Sequence, residues 1–364
     1  MRPLSEIGAA VVGTGFIGVV HVDALRRLGV QVHGVVGSSR ERAAARSREL
    51  GLPPAYESFE AMLDDSRVEV VHVASPNHLH HEQASAALRA GKHVVCEKPL
   101  AMASAESADL LQIAEHSGRV HATNYNLRFY AICQHVHGLV REGALGEVRL
   151  VSGHYLQDWL LLEEDWNWRV DPAQGGALRA VADIGSHWLD LTAFLTGQPV
   201  TEVMADLATF IKRRGDREVT TEDAATVMVR YAGGARAAMT VSQVSPGRKN
   251  SLAFEIDGSK SAVAWNSERP DELWIGHRGR PSEVLLRDPA LFNEEGRAAT
   301  SLPGGHAEGF ADTFKAMYAA VYRAVAQGAP GPGYPTFADG HEQMLVLDAV
   351  ARSSQARRWV EVER

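Results

Sequence analysis

The hexapeptide Gly13-Thr14-Gly15-Phe16-Ile17-Gly18 stands between an apolar run, Ile7 to Val12, and an amphipathic stretch that ends near Gly29. Few local patterns restrict a fold as strongly. Between a strand and a helix, the first glycine permits a tight turn and the second lets backbone approach a pyrophosphate. The third lets the helix lie close to the strand, and the helix N-terminus attracts the phosphates. Gly13, Gly15, Phe16, Ile17 and Gly18 are therefore the candidate cradle for a dinucleotide. Outside that setting the same spacing is only a glycine turn.

The setting continues downstream. "VQVHGVVGSS" reads as a second strand and "RERAAARSREL" as a helix stopped by Gly51 and Pro53-Pro54. "VEVVHVAS" is a buried strand, "HEQASAALRAG" a helix ending at Gly91, "KHVVCE" a strand and "SAESADLLQIAEHSG" a helix. This alternation predicts a parallel sheet with helices on both faces. A dinucleotide site usually has an acid for the ribose 2′-hydroxyl about 20 residues past the glycines. Here the second strand runs out into Gly37-Ser38-Ser39-Arg40-Glu41-Arg42. The hydroxyls of Ser38 and Ser39 with the guanidinium of Arg42 suit a 2′-phosphate, so of NADP and NAD the pattern favours NADP. The other reading leaves Arg40 and Arg42 as solvated first-turn residues and makes Glu41 the ribose acceptor.

Beyond about Tyr125 the pattern changes. "GEVRLVSGHYL", "VTEVMADLATFI", "EDAATVMVRYAGGARAAMTVSQV", "NSLAFEIDGSKSAVAWN" and "DELWIGHRG" read as long strands joined by turns, which predicts an antiparallel sheet. "DTFKAMYAAVYRAVAQG" and "HEQMLVLDAVARSSQA" read as amphipathic helices. A chain of 364 residues also exceeds one comfortable core. The expected fold is an α/β Rossmann domain over residues 1–125, followed over 126–364 by an α+β domain with a large, mostly antiparallel open sheet. The last helix is expected to pack back on the first domain.

The net charge of −8 gives no reason to expect nucleic acid or an anionic membrane as partner. The two cysteines, Cys96 and Cys133, make no disulfide framework, and a reducing cytoplasm fits them. The opening "MRPLSEIGAAVVGTG" lacks the form of a signal peptide, and no window approaches the roughly 20 apolar residues of a membrane span.

One segment goes further than pattern. Ala74 to Met102, "ASPNHLHHEQASAALRAGKHVVCEKPLAM", contains Ser75-Pro76-Asn77, His80-x-Glu82, Ala90-Gly91-Lys92-His93 and Glu97-Lys98-Pro99. With His21 three residues beyond Gly18, and "DIGSHWLD" at Asp183 to Asp190, it resembles the Gfo/Idh/MocA oxidoreductases, a family that includes glucose-fructose oxidoreductase and inositol dehydrogenase. The likeness extends to the closing "YPTFADGHEQMLVLDAVARSSQARRWVEV". It implies a nicotinamide cofactor, a sugar or polyol substrate, and a homodimer or homotetramer formed through the sheet of the second domain. It implies that Ser75, Pro76, Asn77, His80, Glu97 and Lys98 line the cofactor side. Asn126 and Arg128 are implied at the nicotinamide end, with Tyr125 a weaker substrate candidate. It further implies that Lys98 faces Asp183 and His187 across a cleft. The spacing departs from the family between Gly175-Gly176 and Asp183, where "ALRAVA" intervenes, which puts the loop residues in question.

Oxidising a secondary alcohol requires loss of the hydroxyl proton as hydride leaves the carbon. A neutral imidazole suits that base role, so His187 is the expected base, with Lys98 the competing acceptor. Asp183 is expected to bind a substrate hydroxyl and raise the proton affinity of the imidazole. Without the family likeness, a carboxylate and an imidazole four residues apart read as a helix cap and a packed histidine. Upstream, "QDWLLLEEDWNWRVDPAQGG" holds Trp159, Trp166, Trp168 and Arg169. Trp166 and Arg169 are candidate sugar contacts, and a tryptophan packing loop is the alternative. Sixteen histidines invite a metal reading, but no HExxH or CxxC appears and none is expected. The expected activity is NAD(P)-dependent hydride transfer at a sugar, glycoside or cyclitol. Its rivals are an inositol dehydrogenase, a keto-sugar reductase, and a cofactor-binding sensor or scaffold without turnover.

Overall fold

The structure, a computed structural model, describes residues 2–329, 331 and 333–364. The chain divides into two compact units. One comprises Met1–Asn126 with Phe314–Met344, the other Leu127–Thr313 with Leu345–Arg364.

In the first unit β1 (Gly8–Val12), α1 (Phe16–Arg27), β2 (Gln31–Val36), α2 (Arg40–Glu49), α3 (Phe59–Asp64), β3 (Val70–Val73), α4 (His80–Arg89), β4 (His93–Cys96), α5 (Ser104–Ser117) and β5 (His121–Thr123) follow in order. The five strands form one parallel sheet in the order β2-β1-β3-β4-β5. Every residue of β1 and β3 is buried, as a sheet covered on both faces requires. Val12, Val71, Val73 and Val94 share one core with Met62, Leu88, Leu110 and Phe337, each such side chain adding about 1.5–3 kcal/mol. The winding reverses between β1 and β3, and ligands of open α/β sheets bind at such a reversal, beyond the carboxyl ends of the strands.

The second unit opens with α6 (Ala131–Arg141) and β6 (Val148–Leu156), then α7 (Pro172–Gly175), a π turn (Val181–Gly185) and α8 (Ser186–Thr196). The strands β7 (Val200–Ala208), β8 (Arg213–Arg214), β9 (Arg217–Glu218), β10 (Ala224–Tyr231), β11 (Arg236–Ser242), β12 (Ser251–Gly258), β13 (Ala262–Asn266), β14 (Glu272–Gly276) and β15 (Glu283–Leu286) follow, with α9 (Glu294–Ala298). Most of α10 (Phe310–Gln327) and the start of α11 (Phe337–Ala356) belong to the first unit, and the rest of α11 leads to β16 (Val360–Glu361) in the second. Nine strands form a sheet in the order β15-β14-β13-β12-β6-β11-β10-β7-β16, and β8 and β9 pair separately. Among the described residues, β6–β11 is the one parallel pair within the large sheet. In β10, Val227 and Val229 are buried while Thr226 and Met228 are exposed, the alternation of a sheet with one covered face. Helix α8 is tied to the sheet by Trp188 Nε1, which donates to Ala253 O (3.0 Å), and by Tyr231 Oη, which donates to Thr192 Oγ1 (2.8 Å).

Candidate active site

In the first unit the glycine turn joins β1 to α1. Gly13 takes φ +114°, and a side chain there would lie 2.2 Å from Ala74 O. Gly15 precedes α1 in an extended conformation with no side-chain cap, and a Cβ at Gly15 would meet nothing within 4 Å. Gly18 is buried, with room for no Cβ against Gly13 O (2.1 Å). The uncapped N–H groups of Phe16 and Ile17 and the space above Gly15 fit a pyrophosphate. Phe16 is 72% exposed beside it.

At the end of β2, Ser39 caps α2 by accepting from Arg42 N (3.3 Å), and Arg42 Nη1 donates to Ser38 Oγ (3.4 Å). Arg40 is paired with Glu57. After β3, Ser75 Oγ donates to Gln83 (2.7 Å), and Asn77 is nearly buried in a 3-10 turn. His80 is fully buried with Nδ1 2.8 Å from Pro99 O and Nε2 2.9 Å from Ser75 O. Two carbonyls ask for a proton on both nitrogens. Burial pulls the other way and lowers the imidazole pKa, against the two carbonyls and Glu97.

β4 ends at Cys96, and the peptide between Lys98 and Pro99 is cis. The buried Glu97 carboxylate accepts from Lys98 N (3.2 Å) and from Asn124 Nδ2, and Oε1 lies 3.1 Å from His21 Nε2. Burial opposes its ionisation, yet His21, Lys98 and Asn124 hold its pKa down at about 2. Behind His21, Nδ1 meets His72 Nδ1 (2.9 Å) and the Tyr318 hydroxyl (3.0 Å), and His72 Nε2 meets the Tyr322 hydroxyl (2.9 Å). These contacts form one buried hydrogen-bonded chain from the Tyr322 hydroxyl through His72 and His21 to Glu97. Lys98 is half-buried, and Tyr125 and Asn126 are buried. Lys92 of the Ala-Gly-Lys-His run is structural: its ammonium donates to Asp65 O and Val68 O (3.0 and 2.8 Å).

In the second unit "DIGSHWLD" is not one uniform α-helix. It begins in the π turn, whose Ser186 N donates to Val181 O five residues back, and becomes α8 at Ser186. π turns recur at functional positions. Asp183 projects from this turn. Its Oδ1 accepts from Arg169 Nε (3.0 Å) and its Oδ2 from Gln243 Nε2 (2.7 Å). His187, 8% exposed, is the second residue of α8, with the Tyr155 ring 6.3 Å from its own and the Tyr155 hydroxyl donating to Asn250 (2.9 Å). Arg128 binds Asp190 through two nitrogens (Nε to Oδ2, 2.7 Å) and lies over Phe194. Trp166, 40% exposed, has the Arg217 guanidinium 4.2 Å from its ring centroid. Gln243 and Tyr155 escaped the sequence reading. A polar residue just past an apolar strand was the only signal for Gln243, and it names no partner.

Two family models match the chain: an oxidoreductase family with an NAD-binding Rossmann fold over residues 7–125, and the GFO/IDH/MocA C-terminal domain over 133–264. The chain belongs to the GFO/IDH/MocA oxidoreductase family. Within it, an oxidoreductase domain protein from Kribbella flavida is 31% identical, with 99% of this chain and 100% of that one covered and a TM-score of 0.91. The levoglucosan dehydrogenase of Pseudarthrobacter phenanthrenivorans is 29% identical over 99% of both chains. A levoglucosan dehydrogenase solved with NADH and levoglucosan superposes with a TM-score of 0.92 at 28% identity, covering 98% and 100%. An inositol dehydrogenase homolog from Azotobacter vinelandii, complexed with NAD⁺, gives 0.90 at 26% identity, covering 99% and 98%. Among the described residues no group of three His, Cys, Asp or Glu is placed to hold a metal ion, and no helix is long and apolar enough to cross a membrane.

Proposed function

We propose that this member of the family catalyses reversible hydride transfer between a nicotinamide dinucleotide and a secondary hydroxyl of a sugar, glycoside or cyclitol. The observation that carries the reading is the arrangement at Asp183: a carboxylate steadied by Arg169 and Gln243, four residues before His187. The glycine turn and the ends of β2 and β3 hold the dinucleotide, which when bound accepts or returns the hydride. His187 takes the hydroxyl proton on an imidazole nitrogen. The Lys98 ammonium stabilises the developing alkoxide, or takes that proton itself. Asp183 fixes a neighbouring hydroxyl, and Trp166 and Arg169 meet the ring. Asn126 and Arg128 support the nicotinamide end, Arg128 through its pair with Asp190.

The sugar or glycoside reading leads, supported by the tryptophan loop and by relatives named for levoglucosan. The cyclitol reading rests on likeness to an inositol dehydrogenase homolog. Absorbance of reduced nicotinamide, followed with a panel of sugars, anhydrosugars and inositols, decides between them. No turnover with any of these leaves a cofactor-binding sensor. The proposed cofactor is NADP, because no carboxylate stands between Val36 and Arg40, where Ser38 and Ser39 offer hydroxyls, and Arg42 follows two residues later. Tighter NAD⁺ than NADP⁺ binding in paired titrations overturns that choice. A homodimer or homotetramer fits the exposed Leu150, Met228, Trp274, Val284 and Leu286 of the large sheet, and a cytoplasmic setting fits two free, buried thiols. Light scattering on the eluted protein tests the assembly.

A further inference from the structure

A buried ionic knot lies behind the tryptophan loop, and no catalytic role accounts for it. Asp223 is fully buried. Its Oδ1 accepts from Arg179 Nη2 and from Arg214 Nη2 (3.3 Å), and its Oδ2 accepts the N–H groups of Phe210 and Ile211 (2.7 and 2.8 Å). The adjacent Glu222 accepts the N–H groups of Arg179 and Val181 through Oε1, both at 2.9 Å. The second of these is the first residue of the π turn that carries Asp183.

Arg214 reaches in the other direction. Its Nη1 donates to the carbonyls of Leu162 (2.7 Å) and Asp165 (3.0 Å), and its Nη2 donates to that of Leu160 (2.7 Å). A planar guanidinium fork can serve three carbonyls and a carboxylate together, and a lysine ammonium cannot. Three further contacts bind the same hairpin region to the same loop. Arg217 covers Trp166, Thr221 Oγ1 donates to Val170 O (3.4 Å), and Val219 packs with Leu160, Val170 and Trp159. The stretch from Arg214 to Asp223 thus grips both the loop bearing Trp166 and Arg169 and the turn bearing Asp183.

We propose that Arg214 and Arg217 are specificity-determining positioning residues that set the tryptophan loop against the Asp183 turn and so decide which sugar ring is accepted. Neither acts on the reacting atoms. The inference rests on the functional reading above, in which Trp166, Arg169 and Asp183 meet the sugar.

Three variants of the protein test it. Arg217→Ala removes only an exposed side chain from Trp166 and leaves the buried knot in place. Arg214→Met removes the donor to three loop carbonyls, and Arg214→Lys keeps its charge without the fork. For Arg217→Ala we expect KM for the preferred sugar to rise at least about threefold, with kcat within about twofold. The ratio of kcat/KM between a glycoside and an inositol should move about fivefold. For Arg214→Met we expect KM to rise about tenfold or more, with Arg214→Lys no better than intermediate. Without substrate, both Arg214 variants should raise acrylamide quenching of tryptophan fluorescence, while NADPH binding, read by its own fluorescence, stays within about twofold. Unchanged quenching with unchanged KM and sugar preference in Arg217→Ala and Arg214→Lys overturns the proposal. So does a loss confined to kcat and equal for every substrate. A wild-type protein that oxidises no sugar or cyclitol defeats the functional reading instead, and the two failures are distinct.

Discussion

Arg169 Nε donates to Asp183 Oδ1 across 3.0 Å while its guanidinium lies 4.4 Å from the Trp168 ring centroid. An arginine on the loop therefore fixes the direction of the carboxylate on the π turn, and the neighbouring indole fixes the arginine. With Gln243 on the other oxygen, Asp183 keeps one orientation before any substrate arrives.

Arg169→Ala removes a donor that orients Asp183. We expect kcat/KM for the preferred sugar to fall about 10- to 100-fold, with NADPH affinity unchanged. Steady-state kinetics beside a fluorescence titration with NADPH measure both. A variant with wild-type kcat/KM would show that the orientation of Asp183 is immaterial.

His187→Ala tests the proposed base. Loss of a positioned acid–base group should lower kcat at least about 10²-fold, with cofactor binding retained. Lys98→Met should lower kcat by a comparable factor. Single-turnover measurement of nicotinamide reduction isolates the chemical step, and an intact rate in folded His187→Ala protein removes the imidazole from it.

Two glycines of one motif should fail differently. Gly15 has an ordinary φ of −75° and open space where a side chain would stand, so Gly15→Val should keep its melting temperature and lose about tenfold or more in dinucleotide affinity. Gly13→Ala forces a side chain onto φ +114° and into Ala74 O, so it should destabilise the fold by roughly 2 kcal/mol or more. Thermal melts and NADPH titration of both separate the effects. Equal melting temperatures for the two variants would contradict this division.

Stability should fall on mild acidification. His93 Nδ1 accepts from Val120 N (2.8 Å) and His121 Nδ1 accepts from Phe337 N (3.1 Å), so both imidazoles are neutral in the fold. Burial lowers each pKa to about 4. The unfolded chain takes up protons first, near the ordinary histidine value of about 6.5. Stability is therefore lost as pH falls from about 6.5 toward 4, on the order of 1–2 kcal/mol per histidine after solvent screening at the less buried His93. Glu97 acts in a lower window. Its carboxylate stays ionised to about 2 in the fold, so its contribution is complete above the unfolded value near 4.5 and disappears as pH drops toward 2. Denaturant midpoints at about pH 7.5, 6 and 4.5 read the histidine window. A flat or rising midpoint on acidification would be incompatible with buried neutral His93 and His121.

Much of this protein could be read without coordinates, for a reason common to each part. Strand–helix alternation over Ile7 to Gly118, the glycine turn, and the four-residue step from Asp183 to His187 depend on local sterics and on periods shorter than about five residues. Glu97-Lys98-Pro99 lay in that reach as a contiguous motif. Helix α6, the short α3 and the π turn did not. The start of the π turn is held by Glu222, 41 residues away from Val181, and no local window contains that partner. Gln243 on Asp183, Tyr322 behind His72 and Arg214 beneath the tryptophan loop are likewise set by which chain segments the sheets bring side by side. A residue's type and its neighbours state which hydrogen bonds it is able to make. Only the closed topology, which excludes water and brings distant donors and acceptors within about 3 Å of each other, determines which ones it does make.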